Sequence, residues 1–99
     1  MRLISQDGMI DVPYEQAIIE YEACERNGED VFHIIFARTT RNTFPIARYS
    51  TEAKAIKAME MLREQYMRNN ALYIDRENNA RVIPQNSLFK FPDDSEVEV

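Results

Sequence analysis

Phe44-Pro-Ile-Ala-Arg-Tyr49, followed by Ser50-Thr-Glu-Ala-Lys-Ala-Ile-Lys-Ala-Met-Glu-Met-Leu-Arg-Glu-Gln-Tyr-Met-Arg68, is the stretch that decides the fold. A strand reads up to Tyr49, and the apolar period then changes to that of a helix. Ser50-Thr51-Glu52 supplies a hydroxyl N-cap and an acid in the first turn. Beyond it Ala55, Ile56, Met59, Leu62 and Tyr66 recur every three to four residues, which predicts a helix over about 51–68 with these side chains as its buried stripe. Lys57, Glu60, Glu64 and Arg68 fall opposite, and Glu60–Arg63 and Glu64–Arg68 have the favourable acid-before-base order. No Gly or Pro interrupts the run, and Asn69-Asn70 supplies the stop.

Upstream the period is two. Ile19, Tyr21 and Ala23 alternate with Glu20, Glu22 and Cys24, as in a strand with one face covered. Asn27-Gly28 then marks a turn, and Val31–Arg38 is the most apolar strand, expected at the centre of the sheet. Thr39–Thr43 reads as a polar loop before the strand at 44–49. Near the start, Asp7-Gly8 lies between short apolar runs and predicts a hairpin. Pro13 cannot donate to a ladder, so the second strand ends there or lies on a sheet edge.

After the helix, Leu72–Arg76 and Ala80–Ile83 flank the turn Glu77-Asn-Asn79 as a second hairpin. Pro84–Asn86 breaks the chain again, and Ser87–Phe91 adds a final strand with Phe89 and Phe91 on one face. The sum is an α+β fold: an antiparallel sheet, a meander of hairpins, with one main helix on a face. Residues 1–91 are expected to form one domain, and 92–99 a solvated, flexible acidic tail.

Composition excludes several classes of function. Ninety-nine residues allow one domain. Two glycines, Gly8 and Gly28, cannot build a phosphate loop. One His and one Cys cannot build a zinc or iron–sulfur motif, so no metal or cofactor is expected. The longest apolar run, Ile34–Ala37, is too short to span a bilayer, and the opening lacks the apolar core of a signal peptide. The single Cys24 suits a reducing compartment, hence an expected cytosolic location.

The net charge of −5 hides an asymmetry. Residues 1–33 carry eight acids against two arginines, residues 34–90 ten bases against five acids, and residues 91–99 four acids. Three consequences compete: neighbouring strands that screen one another, self-association through complementary patches, as in a dimer, and a basic site for an anionic small molecule. Nucleic acid is disfavoured, because no basic stripe outweighs the acidic opening.

His33 sits inside the most apolar strand with no nucleophile or carboxylate in view, and Cys24 has acids beside it that blunt a thiolate. Both read as structural, and no catalytic residue is expected. The arginines are more informative. Arg63 lies at the edge of the helix stripe, where it either snorkels or, with Arg48 and the rings of Tyr49, Tyr66 and Phe89, clamps an anionic nucleotide by charge and stacking.

Three stretches together carry a resemblance: residues 1–15, residues 46–63 (Ile46-Ala-Arg-Tyr-Ser-Thr-Glu to Arg63) and Phe89-Lys-Phe-Pro-Asp-Asp94. The chain resembles small uncharacterised accessory proteins of phages, prophages and mobile elements of Gram-positive bacteria. That resemblance implies an accessory protein in a bacterial host that acts by binding a protein or sequestering a nucleotide signal. With no recognisable catalytic set it is expected to be non-enzymatic, and with its single Cys24 to sit in the host cytosol. The expected function is therefore binding of a host protein with self-association; the alternative is a sponge for an anionic nucleotide.

Overall fold

The computed structural model describes residues 1–26, 28, 30–69, 72–74, 80–82 and 88–99. Three long strands form the main sheet: β3 (Ile18–Arg26), β4 (Asp30–Arg38) and β5 (Thr43–Tyr49), in the order β3-β4-β5 and antiparallel throughout. The apolar strand is central, as its composition demands. Gly28, between β3 and β4, has φ +71°, a left-handed conformation that glycine adopts without a Cβ clash; Asn27 lies outside the described residues. Thr39 organises the second loop, its hydroxyl accepting from the Arg41 and Asn42 amides.

The pairing of β4 with β5 slips between Ile35 and Phe36, so Ile46 is an extra residue. That bulge explains why Ile46 and Ala47 are both buried in a strand that otherwise alternates. Rows on either side remain clear. Ile35, Ala37, Ala47 and Tyr49 point to an inner face and are at most 5% exposed. Ile19 and Tyr21 pack against the same core, whereas Ala23, expected inward with them, is exposed.

The helix α1 (Glu52–Asn69) lies on that inner face. Thr51 caps it, its hydroxyl accepting from the Lys54 amide at 3.1 Å. Ala55, Ala58 and Leu62 are fully buried, with Met59 and Tyr66 half-buried beside them. Ile56 departs from the expected stripe and is 41% exposed. It stands about 100° round the helix from Ala55, while Ala58, on the covered side, takes the position against the sheet.

The expected α+β fold, an antiparallel meander with one main helix on a face, is present, and a second three-stranded sheet stands beside that meander. β1 (Arg2–Ile4) pairs antiparallel with β2 (Asp11–Pro13), and parallel with β8 (Leu88–Lys90). Its order is β2-β1-β8, so Pro13 does end an edge strand. The Asp7-Gly8 turn sits in this first hairpin, with Gly8 at φ +78° and the Asp7 carboxylate accepting from the Ser5 hydroxyl and the Met9 amide. Those bonds hold the Asp7 carboxyl below its ordinary range, the Ser5 contact most of all. β6 (Leu72–Ile74) and β7 (Ala80–Val82) pair antiparallel as the second hairpin. Its turn at 77–79, the break at 84–86 and Ser87 lie outside the described residues.

Residues 92–97, expected as a solvated tail, pack back on the domain instead. Phe91 and Val97 are 1% and 3% exposed. The Pro92 carbonyl accepts from the Tyr49 hydroxyl at 2.8 Å and from Gln6 Nε2 at 3.0 Å. A short 3₁₀ turn at Asp94–Glu96 is closed by a reciprocal capping box between Asp93 and Glu96. Apolar anchors and these bonds outweigh the solvation of the acids that marked the segment as a tail.

Candidate interaction face

With α1 on the inner face, the other side of β3-β4-β5 is left without a covering element among the described residues. The β4 residues Phe32, Ile34 and Phe36 alternate with the core residues Ile35 and Ala37, so they project outward as a half-buried apolar ridge. A strand apolar on both sides is the pattern of a strand covered on both sides. Here only one side is covered within the described chain.

Charges border the ridge. On β3, Glu20 and Glu22 share its face, with Cys24 half-buried and Ile18 52% exposed. Arg38 at the end of β4 chelates Glu20 Oε1 through Nε at 3.1 Å and through a terminal nitrogen at 2.7 Å. On β5, the Arg48 guanidinium lies 4.5 Å from the centre of the Phe32 ring, a cation–π contact. Its backbone is held by Gln6, whose Oε1 accepts from the Arg48 amide at 3.0 Å while Nε2 donates to the Arg48 carbonyl at 3.2 Å. Two shallow clefts open beside Arg48. One, of about 370 Å³, is lined by Gln6, Asp7, Ile34 and residues 45–48. The other, of about 360 Å³, includes Phe32, Ser50 and Asp94.

The five residues singled out in the sequence are distributed over the fold. Arg48 lies on the outer face. Tyr49 is in the core, where burial pushes its hydroxyl well above the ordinary tyrosine range. Arg63 and Tyr66 are brought together on α1, on the opposite side of the sheet from Arg48. There Arg63 lines a hollow of about 190 Å³ with Tyr14, Ala17, Ile19, Met59 and Leu62. Tyr66 packs on Tyr14 with ring centres 4.5 Å apart. Phe89 is in the second sheet, edge-on to Phe91 at 5.2 Å. The hollow at Arg63 is below the roughly 300 Å³ at which small-molecule sites usually begin.

His33 shares a 2.6 Å hydrogen bond with the Tyr21 hydroxyl, the two rings near parallel with centres 5.9 Å apart. Among the described residues no three His, Cys, Asp or Glu side chains gather as a metal would need. Nor is any helix there long and apolar enough to cross a membrane.

Comparison with family models, with curated proteins and with solved structures finds no match.

Sequence reasoning passed over Phe32, Ile34, Phe36 and Glu22. The available signal was the double-sided apolar character of Val31–Ala37, which by itself does not tell which side stays open.

Proposed function

We propose that this chain is a non-catalytic binding protein that works by protein–protein contact through the outer face of β3-β4-β5. The observation that supports this is the Phe32–Ile34–Phe36 ridge: aromatic and aliphatic side chains in a row, rimmed by Glu20, Glu22, Arg38 and Arg48. Specific interfaces have this make-up, with an apolar, aromatic-rich centre and a charged rim. The contacted protein is a host one in the setting that the phage-type resemblance implies, or a second copy of the chain where the charge asymmetry drives self-association. The nucleotide-sponge alternative draws less support, because Arg48 and Arg63 stand on opposite sides of the sheet.

A photo-crosslinking phenylalanine at position 36, in cells making the protein, tests this. It is expected to give discrete protein adducts, while the same group at the exposed helix position Lys57 gives none. Equal labelling at both positions, or no adduct at 36, overturns the reading.

A further inference from the structure

The charges beside the ridge specify its occupant. Glu22, Ile34 and Arg48 stand in one row across the three strands, since Glu22 pairs with Ile34 and Ile34 with Arg48. The row therefore runs acid, aliphatic, cation, with Ile34 at its centre. Glu20, by contrast, is already neutralised by Arg38 at 2.7 Å. Neither the Glu22 carboxylate nor the Arg48 guanidinium has an ion-pair partner among the described residues. They are on outer strands of the sheet, about 10 Å apart at the usual strand spacing.

We infer that the face binds a second copy of this chain, stacked sheet on sheet about a two-fold axis that runs close to β4. This rests on the reading of the face as a protein-binding surface and names its partner. A two-fold along the strand direction keeps each row in place and exchanges its ends. Glu22 of one copy then faces Arg48 of the other, twice, and Ile34 meets its own symmetry mate. A two-fold across the strands does the opposite, laying β3 on β3 and Glu22 on Glu22. Like charges placed so are unfavourable, so the charge layout selects the first arrangement. Stacked sheets sit about 10 Å apart with strands crossing at about 30°, a gap that Glu and Arg side chains bridge. Two nine-residue strands and one of seven offer a contact on the order of 1,000 Å² in total, the low end for a specific interface. The dimer accordingly dissociates at micromolar concentration and weakens with salt.

Sedimentation velocity of the full chain over the micromolar range tests this with a charge exchange. E22R and R48E each place like charges opposite one another and are expected to weaken the dimer by about tenfold or more. The double variant E22R/R48E restores the pairs in reverse and is expected to return near the wild-type constant, which damage to the fold cannot imitate. As a second readout, I34C in a Cys24→Ser background is expected to give a covalent dimer with a short bismaleimide, whose reach spans the gap of about 10 Å between stacked sheets. A wild-type chain that stays monomeric at every concentration overturns the inference, as does a double variant no tighter than either single one. Adducts from position 36 to a different protein alone would then leave the protein-binding reading standing, whereas their absence would remove it too.

Discussion

Ala58 shows how closely single residues are fitted in this fold. It is fully buried where α1 meets the inner face of β3-β4-β5, beside Ala55 and Leu62. Hydropathy alone ranks Ile56 above Ala58 as a core residue, and the helical pattern of the sequence did select Ile56. Contact between helix and sheet favours small side chains at the closest approach, and the larger Ile56 is left at the margin. Two substitutions separate the positions. Ala58→Leu inserts three heavy atoms into a filled contact and is expected to cost about 1–3 kcal/mol. Ile56→Lys, on a helix surface that is 41% exposed, should stay within about 0.5 kcal/mol. The midpoints of urea denaturation read both, and equal losses would show that Ile56 is as deeply covered as Ala58.

At the scale of elements, the two sheets are joined through the side chain of one glutamine. Gln6 follows β1, and its backbone amide donates to the Ile46 carbonyl at 2.7 Å. Its carboxamide then satisfies the Arg48 amide and carbonyl on the edge of β5 and reaches the Pro92 carbonyl. Glutamine suits this because one side chain carries both an acceptor and two donors. Gln6→Ala is expected to cost about 1–2 kcal/mol and to speed hydrogen exchange at the Arg48 amide, whereas the neighbouring Ala47 amide should keep its rate. Uniform acceleration along β5 would mean that the carboxamide is not a local clasp. This joint was not legible in the sequence, because a polar residue after a short strand carries no mark of its partner. The β3-β4-β5 meander was legible, since each strand pairs with its neighbour in the chain and turn or polar-loop residues separate the three runs. The parallel pairing of Arg2 with Leu88 links distant segments with no local signal at all. For the candidate face the sequence displayed half of what was needed. Val31–Ala37 is apolar on both sides, but which side stays open depends on where α1 packs, which is a tertiary choice.

Across the whole molecule, the end of the chain works as a lock on both sheets. Phe91 and Val97 enter the core, while the Asp94 carboxylate accepts from the Ser50 amide at 2.7 Å and the Ser50 hydroxyl at 3.0 Å. Lys54, from the first turn of α1, donates to the Asp94 carbonyl at 2.9 Å and approaches its carboxylate at 3.4 Å. Asp94 thereby ties the chain end to the junction between β5 and α1. The Ser50 amide contributes most to holding its carboxyl below the ordinary range, with the Ser50 hydroxyl and Lys54 adding to it. A carboxyl whose folded-state pKa is depressed binds protons more readily when unfolded. Its stabilisation is therefore complete above the unfolded value of about 3.9 and is lost as pH falls through the lower folded value. Asp7 acts in the same direction, so the wild-type protein should lose stability steadily below about pH 4. Asp94→Asn keeps an acceptor for the Ser50 amide but removes the titrating charge. It is expected to lower the melting temperature by a few degrees at pH 7 and to flatten, without abolishing, the fall in acid, where Asp7 still titrates. The separation between the melting temperatures of the two proteins should then narrow as pH falls from 7 to below about 4. Parallel curves, separated by the same interval at every pH, would show that the Asp94 charge contributes nothing to the lock and that Phe91 and Val97 hold the chain end by burial alone.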